Sequence, residues 1–387
     1  IIINMKVLIF SHEYPPIGGG AGVVANQLID HFCEDSAIEQ IDLLTRFSHQ
    51  YNINKRVHNI FMVNIHNIIW PLEYFFYLKK TINLSLYDLI ICNDSISIYI
   101  AGMLFSSREL EKTVCFLHGS EPEFIYQNNN IQKRLLNLRF FFHRALIKCS
   151  FIGAHSEFMK EKFLKNLPKK LTINSDKIIP LYFGYDASLF NTDNKIENKN
   201  TIRNKYKIKE SDILLLTVSR VEEKKGFVKM LNTFEIMKSM NENLKWMIVG
   251  DGGFLESLKE IAFRKGIFDS LIIVGKIPRS ELCMFYNSAD IFWLLSEYQE
   301  AFGLVYIESQ ACGVPAIGYN NSGVREAVVD GVTGYLINNL DEMLDIVVTK
   351  KFQIITNESL YDFSKKFDSK QCYLKILKAF NEKVINE

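Results

Sequence analysis

The sequence lacks the features that mark secreted, membrane-spanning and nucleic-acid-binding proteins. Its seven cysteines include no CxxC pair and no Cys/His cluster, so neither a disulfide framework nor a zinc site is indicated. No apolar run approaches the roughly 20 residues that cross a bilayer, and residues 1–5 lack the basic region and cleavage site of a signal peptide. A net charge of +1 gives no reason to expect nucleic acid as a partner. These absences predict a cytoplasmic protein.

The length and the alternation of elements predict an α/β protein with two domains. At 387 residues the chain exceeds what one hydrophobic core usually supports. Short apolar runs alternate with longer amphipathic stretches, which is typical of βαβ units and a mostly parallel sheet. The runs predicted as strands are 6–10, 41–45, 89–92, 113–117, 151–154, 213–219, 246–250, 271–275, 291–295 and 316–319.

The boundary between the domains is predicted from a change in composition. Segment 191–212 is polar, rich in Asn, Lys and Glu, and has little apolar periodicity. We place the linker and the entry to the second domain there. The predicted domains are therefore residues 1–190 and 191–369.

A pair of carboxylates in the second half is a candidate site. Glu300 and Glu308 lie eight residues apart, a little over two helical turns, so a helix running past Gly303 would aim both at one ligand. They follow the apolar run 290–295, and ligands bind at the carboxyl ends of strands in open α/β sheets. Two glutamates on a solvated helix face would look the same in sequence.

Each half also opens with a feature suited to binding phosphate. Gly19 and Gly20 lie in a run of glycines before an apolar helix, where backbone N–H groups and the helix dipole favour an anion. The loop is too long for a nicotinamide fingerprint, and an ordinary flexible loop is the alternative. In the second half, Arg220 and Lys225 follow a strand and could neutralise a diphosphate in place of a divalent metal. Both could equally lie on a solvated surface.

In their order along the chain, these motifs resemble the retaining, nucleotide-sugar-dependent glycosyltransferases of family four. The resemblance runs over most of the chain and is weakest between about residues 50 and 87 and near the C-terminus. Its most specific part is the E-x7-E segment with its Phe-Gly and Cys-Gly-x-Pro context. The motifs are Gly18-Gly19-Gly20, His118-Gly119, Ser219-Arg220 to Lys225-Gly226, Gly250-Asp251-Gly252, Gly275-Lys276-Ile277, and Glu300 to Glu308 followed by Ala311-Cys312-Gly313-Val314-Pro315.

The resemblance implies a GT-B architecture, in which two Rossmann-like domains face each other across a central cleft. The C-terminal domain would hold the donor and the N-terminal domain the acceptor. The last helix, at about 370–387, would pack back on the first domain.

The resemblance also implies a role for each matching residue at the donor. Arg220 and Lys225 resemble a diphosphate clamp that the backbone of Gly19 and Gly20 completes. Glu308 resembles the residue that accepts the ribose hydroxyls.

The remaining positions would surround the sugar and the nucleobase. Glu300 would hold the sugar hydroxyls, Ile277 would pack on the base, and His118 would lie near the reacting centre. Glu300, His118, Arg220 and Lys225 are therefore the predicted catalytic set. The other predicted donor-binding positions are Gly250, Phe302, Gly303 and Leu304.

A basic, aromatic-rich segment, 131–150, is the main signal on the acceptor side. Such a helix could lie against an anionic bilayer, or it could pack within the domain with its basic side chains in water. Segment 70–77, followed by Lys79 and Lys80, is a second apolar and aromatic patch. The basic residues of 131–150 are Lys133, Arg134, Arg139, Arg144 and Lys148.

The sequence thus predicts a cytoplasmic enzyme, with a peripheral position on the inner face of the membrane as the alternative. It would move a sugar from a nucleotide diphosphate donor to a saccharide or lipid-linked saccharide, with retention at the anomeric carbon and without a metal or other cofactor. A role in cell-surface polysaccharide synthesis fits this class. A GT-B nucleotide-sugar epimerase and a non-catalytic nucleotide-sugar-binding subunit are the alternatives, and a nicotinamide oxidoreductase is a more distant one.

Overall fold

The chain forms two compact units in a computed structural model that describes residues 4–15, 19–47, 57–65, 70–119, 121–127 and 134–386. The first unit is Ile1–Gly184 together with Ser369–Glu387, and the second is Tyr185–Asp368. The sequence placed this boundary at 190/191, whereas contacts place it between Gly184 and Tyr185.

The first unit is built on a parallel sheet with strand order β3-β2-β1-β4-β5-β6-β7. Its central strands are buried on both faces, as expected where helices cover a parallel sheet. The order reverses direction between β1 and β4, which defines a topological switch point at their carboxyl ends. The strands are β1 Met5–Phe10, β2 Ile38–Arg46, β3 Asn59–Val63, β4 Leu89–Cys92, β5 Thr113–Leu117, β6 Phe151–Ala154 and β7 Ile178–Pro180.

The second unit repeats this plan with the order β10-β9-β8-β11-β12-β13, again with parallel pairing. Here the switch point lies between β8 and β11. All six residues of β8 are buried, which accounts for its continuous apolar sequence. The strands are β8 Ile213–Val218, β9 Leu244–Val249, β10 Leu271–Gly275, β11 Ile291–Leu294, β12 Ala316–Tyr319 and β13 Gly334–Ile337.

Helices connect the strands in both units. In the first unit they are α1 Gly20–Glu34, α2 Trp70–Thr81, α3 Ser95–Leu104, α4 Ser107–Glu111, α5 Leu138–Lys148, α6 Glu157–Lys165 and α15 Ser369–Asn386. In the second unit they are α7 Lys195–Lys205, α8 Phe227–Met240, α9 Leu255–Arg264, α10 Leu282–Ser288, α11 Leu304–Ala311, α12 Val324–Ala327, α13 Leu340–Val348 and α14 Asn357–Ser364. Among the described residues, every helix is too short or too polar to cross a bilayer.

The C-terminal helix α15 belongs to the first unit, where it packs on α1. The Tyr373 ring meets Phe32 edge-on at 5.0 Å, and the Tyr373 hydroxyl donates to Asp35 at 2.6 Å. Ile376 and Phe380 are fully buried in the same core. Burying such side chains stabilises by roughly 1.5–3 kcal/mol each, so α15 is held firmly to the unit.

The polar segment 191–212 contains a helix, which the sequence did not predict. Arg203 of α7 is buried and donates to Asp290 at 2.6 Å and to the Ser288 carbonyl at 3.1 Å. Ile202 supplies a buried apolar contact of the same helix. The helix is therefore fixed mainly by these polar bonds to its own unit, and such bonds leave no apolar periodicity in the sequence.

The basic residues of α5 are largely engaged within the first unit. Arg139 donates to the carbonyls of Ile125 and Tyr126, and Arg144 donates to those of Gly102 and Phe105 at 2.5 and 3.0 Å. Residues 131–133 of the predicted membrane segment, including Lys133, lie outside the described residues. Arg139 and Arg144 therefore hold the fold, and we remove both from the predicted lipid-binding set.

Arg144→Met should lower the stability of the first unit, because the carbonyls at the end of α3 lose a cationic donor. The loss of a hydrogen bond to a charged group lowers the free energy of unfolding by about 1.5–3 kcal/mol. Urea unfolding of the intact chain should show this as a lower midpoint. Arg134, which is exposed, provides the matched control. Equal midpoints for Arg144→Met and Arg134→Met would contradict this role.

Candidate functional site

The predicted residues of the second unit lie on loops that leave the carboxyl ends of its strands. The loop after β8 carries Arg220 and Lys225, and the loop after β11 carries Glu300. Because β8 and β11 are adjacent at the switch point, these two loops meet at one edge of the sheet.

Backbone contacts join the two loops. Gly226 adopts φ +81°, and a Cβ atom there would come within 1.9 Å of the Leu295 carbonyl oxygen. The Lys224 carbonyl accepts hydrogen bonds from the N–H groups of Glu297 and Tyr298 at 3.0 and 3.2 Å. Only glycine allows this approach and this backbone conformation, which explains its position after Lys225.

Lys225 and Glu300 form an ion pair across this junction. Lys225 Nζ lies 2.6 Å from Glu300 Oε1, and each side chain is about 15% exposed. The Glu300 carbonyl in turn accepts from Gly323 N–H at 3.0 Å, which fixes the loop from its other side. Two residues that the sequence assigned to the site are therefore in direct contact.

Arg220 is less constrained than the sequence suggested. Its side chain is 74% exposed and pairs at 2.6 Å with Glu222 of the same loop. Gly250, after β9, approaches the loop through its backbone, because a Cβ atom there would meet the Ser219 carbonyl oxygen at 1.9 Å. Gly250 thus allows two loops to pack closely, which is a structural role in addition to any contact with a ligand.

Glu308 lies on α11 and is almost completely buried, at 1% exposure. Arg279 Nη2 donates to its Oε1 at 2.6 Å, and the Tyr286 hydroxyl donates to its Oε2 at 3.1 Å. Burial, reinforced by the nearby Glu308 carboxylate, raises the pKa of Tyr286 well above its ordinary value, so the hydroxyl stays protonated and remains a donor.

The prediction that helical spacing relates Glu300 to Glu308 was wrong. Glu300 precedes α11, which begins at Leu304, so the eight-residue spacing is not measured along one helix. Each carboxylate instead has its own cationic partner, Lys225 or Arg279. Sequence reasoning missed Arg279 and Tyr286, although Arg279 lies only two residues after Ile277 of the recognised motif.

The remaining donor-side positions surround the start of α11 and the end of β10. Gly303 has φ +92° and caps the helix that begins at Leu304, and its carbonyl accepts from Tyr306 N–H at 3.0 Å. The Phe302 ring is buried and contacts Phe367 at 5.0 Å. Ile277 is half-buried just after β10. The predicted contacts of these positions with a ligand stay predictions.

In the first unit, Gly19 and Gly20 lie at the N-terminus of α1, and Gly18 is outside the described residues. Gly19 N–H donates to the Glu13 carboxylate at 3.1 Å. A Cβ atom at either glycine would meet nothing within 4 Å. A carboxylate thus already accepts from the backbone that the sequence predicted to bind an anion.

His118 follows β5 and is fixed by two hydrogen bonds. Asn93 donates through Nδ2 to the Ala21 carbonyl at 2.8 Å, so its Oδ1 faces His118 Nε2 at 3.3 Å. His118 Nε2 must then carry the proton, and His118 Nδ1 accepts from His155 Nε2 at 3.1 Å. His155 Nδ1 is left as a buried acceptor without a partner among the described residues.

Several titratable groups near His118 are neutralised by burial. The His118 ring retains some exposed surface, but it stacks on Phe183 at 5.2 Å, and desolvation lowers its pKa to about 4. Desolvation also lowers the pKa of His12 to about 4 and that of His155 well below its ordinary value. His118 is therefore neutral near pH 7, and its single N–H is directed at Asn93, so it would have to leave that partner to donate to a ligand oxygen.

Protonation of these histidines should destabilise the first unit. A histidine with a pKa of about 4 when folded and 6.5 when unfolded stabilises the fold fully above pH 6.5, and this contribution is lost as the pH falls towards 4. Each such group contributes a slope of about 1.4 kcal/mol per pH unit within that window. Urea midpoints between pH 7.5 and 4.5 should show a shallower slope for His118→Gln than for the wild type, with parallel curves above pH 7. An unchanged slope would show that His118 titrates normally.

Comparison with known proteins relates the second unit to a family of glycosyltransferases. Residues 198–345 match the family described as glycosyl transferases group 1. The alpha-monoglucosyldiacylglycerol synthase of Streptococcus pneumoniae is 34% identical over 142 residues, which cover 37% of this chain and 32% of that protein. Across the first curated relatives, the matched part spans about a third to a half of their length.

Two further similarities extend over nearly the whole chain. An uncharacterised glycosyltransferase of Methanocaldococcus jannaschii is 24% identical over 98% of this chain and 99% of its own. The crystal structure of Anabaena HepE in complex with UDP and glucose has a TM-score of 0.76 at 18% identity, covering 98% of this chain and 100% of that one. At that identity the similarity concerns the fold alone. Residues 198–345 therefore belong to the glycosyl transferases group 1 family, of the family-four-like kind, and the chain has the GT-B fold.

Proposed function

We propose that the protein is a retaining glycosyltransferase that moves a hexose from a nucleoside diphosphate to a saccharide or lipid-linked saccharide in cell-surface polysaccharide or glycolipid synthesis. The observation that carries the proposal is the Lys225–Glu300 pair at the switch point, with the buried Glu308 nearby on α11. Related proteins named as glycolipid and capsular polysaccharide glycosyltransferases support the substrate class.

In this proposal, cations and backbone donors stabilise the departing diphosphate. Lys225 would turn from Glu300 to a phosphate oxygen, and the exposed Arg220 would leave Glu222 to join it. A preorganised donor aimed at developing charge is worth on the order of 3 kcal/mol in the transition state. The same two cations would take the place of a metal ion.

The carboxylates would hold the sugars. Glu300, released from Lys225, would accept hydroxyl groups of the transferred hexose, and Glu308 would accept those of the ribose. The sugar hydroxyls would replace the hydrogen bond that Glu300 loses, and Glu308 would keep its cation Arg279. The neutral His118 in the first unit would turn its N–H from Asn93 to the ligand and so supply a hydrogen bond without adding charge.

Transfer should persist in excess EDTA, and the first product should keep the donor's anomeric configuration. A thermal-shift panel of UDP and GDP sugars first selects the donor, since a ligand at 100 times its Kd stabilises by about 2.7 kcal/mol. Nucleotide release is then followed with simple glycosides and diacylglycerol as acceptors, and proton NMR reads the anomeric coupling. Rescue of a chelated enzyme by magnesium, or an inverted product, would contradict the mechanism.

Two variants give this test its control. Lys225→Ala should lower turnover by two to three orders of magnitude, whereas Lys224→Ala, one residue earlier and exposed, should not. Sugar interconversion without an acceptor would indicate an epimerase instead. Donor binding without any turnover would indicate a non-catalytic subunit. A change in NAD(P)H absorbance would indicate an oxidoreductase.

We also propose that the first unit contacts an anionic membrane through α2 and α5. Trp70 of α2 and Phe141 of α5 both contact Tyr99 of α3, so the two helices flank the same neighbour. Near them lie exposed apolar side chains and cations that could serve lipid tails and headgroups. These are Leu72, Phe76, Leu135, Phe140 and Ile147, with Lys79, Lys80 and Arg134.

Phe76→Ser combined with Phe140→Ser should weaken binding to anionic vesicles by at least tenfold, because each ring loses roughly 1.5–3 kcal/mol of apolar burial. Phe263→Ser is the matched control, since Phe263 is 77% exposed on α9 of the second unit. Co-sedimentation at low salt measures the effect. Wild-type protein that stays in the supernatant would exclude the membrane role and favour a soluble acceptor.

A further inference from the structure

Glu308 is held by a closed set of side chains in the second unit. Arg279 bonds to one carboxylate oxygen and Tyr286 to the other. The Arg279 guanidinium lies over the Phe190 ring at 4.9 Å, and Phe190 in turn meets the Tyr286 ring at 5.9 Å. Each member of the set therefore contacts two others, which fixes the orientation of the carboxylate.

The charges of this set determine what Glu308 can do. A carboxylate that is 1% exposed is costly unless a cation and hydrogen bonds compensate it. Arg279 supplies the charge and is itself about one-third exposed, so it links the buried carboxylate to the surface. Each carboxylate oxygen can accept two hydrogen bonds, so Arg279 and Tyr286 use one of the two acceptor positions on Oε1 and one of the two on Oε2.

The spacing of the two remaining acceptor positions suits a pair of neighbouring hydroxyl groups. Arg279 bonds to Oε1 and Tyr286 to Oε2, so each carboxylate oxygen keeps one further acceptor position. A vicinal diol such as that of a ribose presents two O–H donors at matching separation. A carboxylate without its two supporting donors would be free to rotate and would bind such a diol less well.

We propose that Arg279 is a positioning residue for ribose recognition, acting through Glu308 and seated on Phe190. This inference rests on the proposed function, since it assumes that Glu308 accepts the ribose hydroxyls of a nucleoside diphosphate. Arg279 itself touches the carboxylate and not the reacting atoms. Its removal therefore affects donor affinity while leaving the chemical step almost unchanged.

The test measures binding of UDP and of 2′,3′-dideoxy-UDP by calorimetry, with the guanine nucleotides used instead if the donor panel selects GDP. Arg279→Gln should weaken binding of the ribonucleotide by about tenfold to a hundredfold, the range for a lost charge-assisted bond. It should leave binding of the dideoxy analogue unchanged within a factor of about two. In turnover, KM for the donor should rise while kcat stays close to the wild-type value.

Matched variants separate positioning from folding. Arg279→Lys should recover part of the affinity because it restores the positive charge, and Arg264→Gln should have no effect because Arg264 is exposed on α9. In a protein that already carries Glu308→Gln, adding Arg279→Gln should lower the affinity for the ribonucleotide only slightly further. A merely structural role would weaken both nucleotides equally and would lower kcat and affinity together, which would overturn the inference.

The remaining outcomes distinguish this inference from the function on which it rests. If Glu308→Gln weakens the binding of UDP but Arg279→Gln does not, the positioning role of Arg279 is wrong and the proposed function stands. If neither UDP nor GDP binds the wild-type protein, both are overturned. If the wild type binds UDP and Glu308→Gln leaves its affinity unchanged, the ribose role of Glu308 and the role of Arg279 fail together.

Discussion

The ion pair between Lys225 and Glu300 is the interaction on which the arrangement of the second unit's site depends. It joins loops that follow adjacent strands, and it forms only because Gly226 and Gly323 let the loop backbones approach within hydrogen-bonding distance. A side chain at either glycine would overlap a carbonyl oxygen of the neighbouring loop. The glycines thus set the distance between the loop backbones, and the ion pair then sets the orientation of the two side chains.

Both units avoid an uncompensated buried charge, but they do so in different ways. In the second unit each glutamate of the site has a cation, Lys225 for the partly buried Glu300 and Arg279 for the buried Glu308. In the first unit the polar groups near His118 are neutralised instead, because burial lowers the pKa of the imidazoles. The second unit therefore balances its site carboxylates with cations, whereas the first unit keeps its buried imidazoles neutral.

The arginines of α5 illustrate why composition alone misassigns surfaces. A basic helix with aromatic residues is typical of membrane contact, yet Arg139 and Arg144 donate to carbonyl groups of their own unit. Arginine is long enough to cap the end of a neighbouring helix while it still counts as a surface charge in the sequence. Whether a basic residue faces solvent or closes a helix end is decided by the helix packed beside it.

The parallel α/β class follows from the sequence alone, because buried central strands such as β8 are continuous apolar runs, and motifs in the sequence predicted Lys225, Glu300 and Glu308 as site residues. It missed the edge strands β3, β7 and β13, since these are short and only partly buried and so carry a weak pattern. It also missed Arg279 and Tyr286. These two reach Glu308 from residues more than twenty positions away, and no local spacing encodes that contact. The pairing of each carboxylate with its cation becomes visible only in the fold, because it depends on which loops the sheet order brings together.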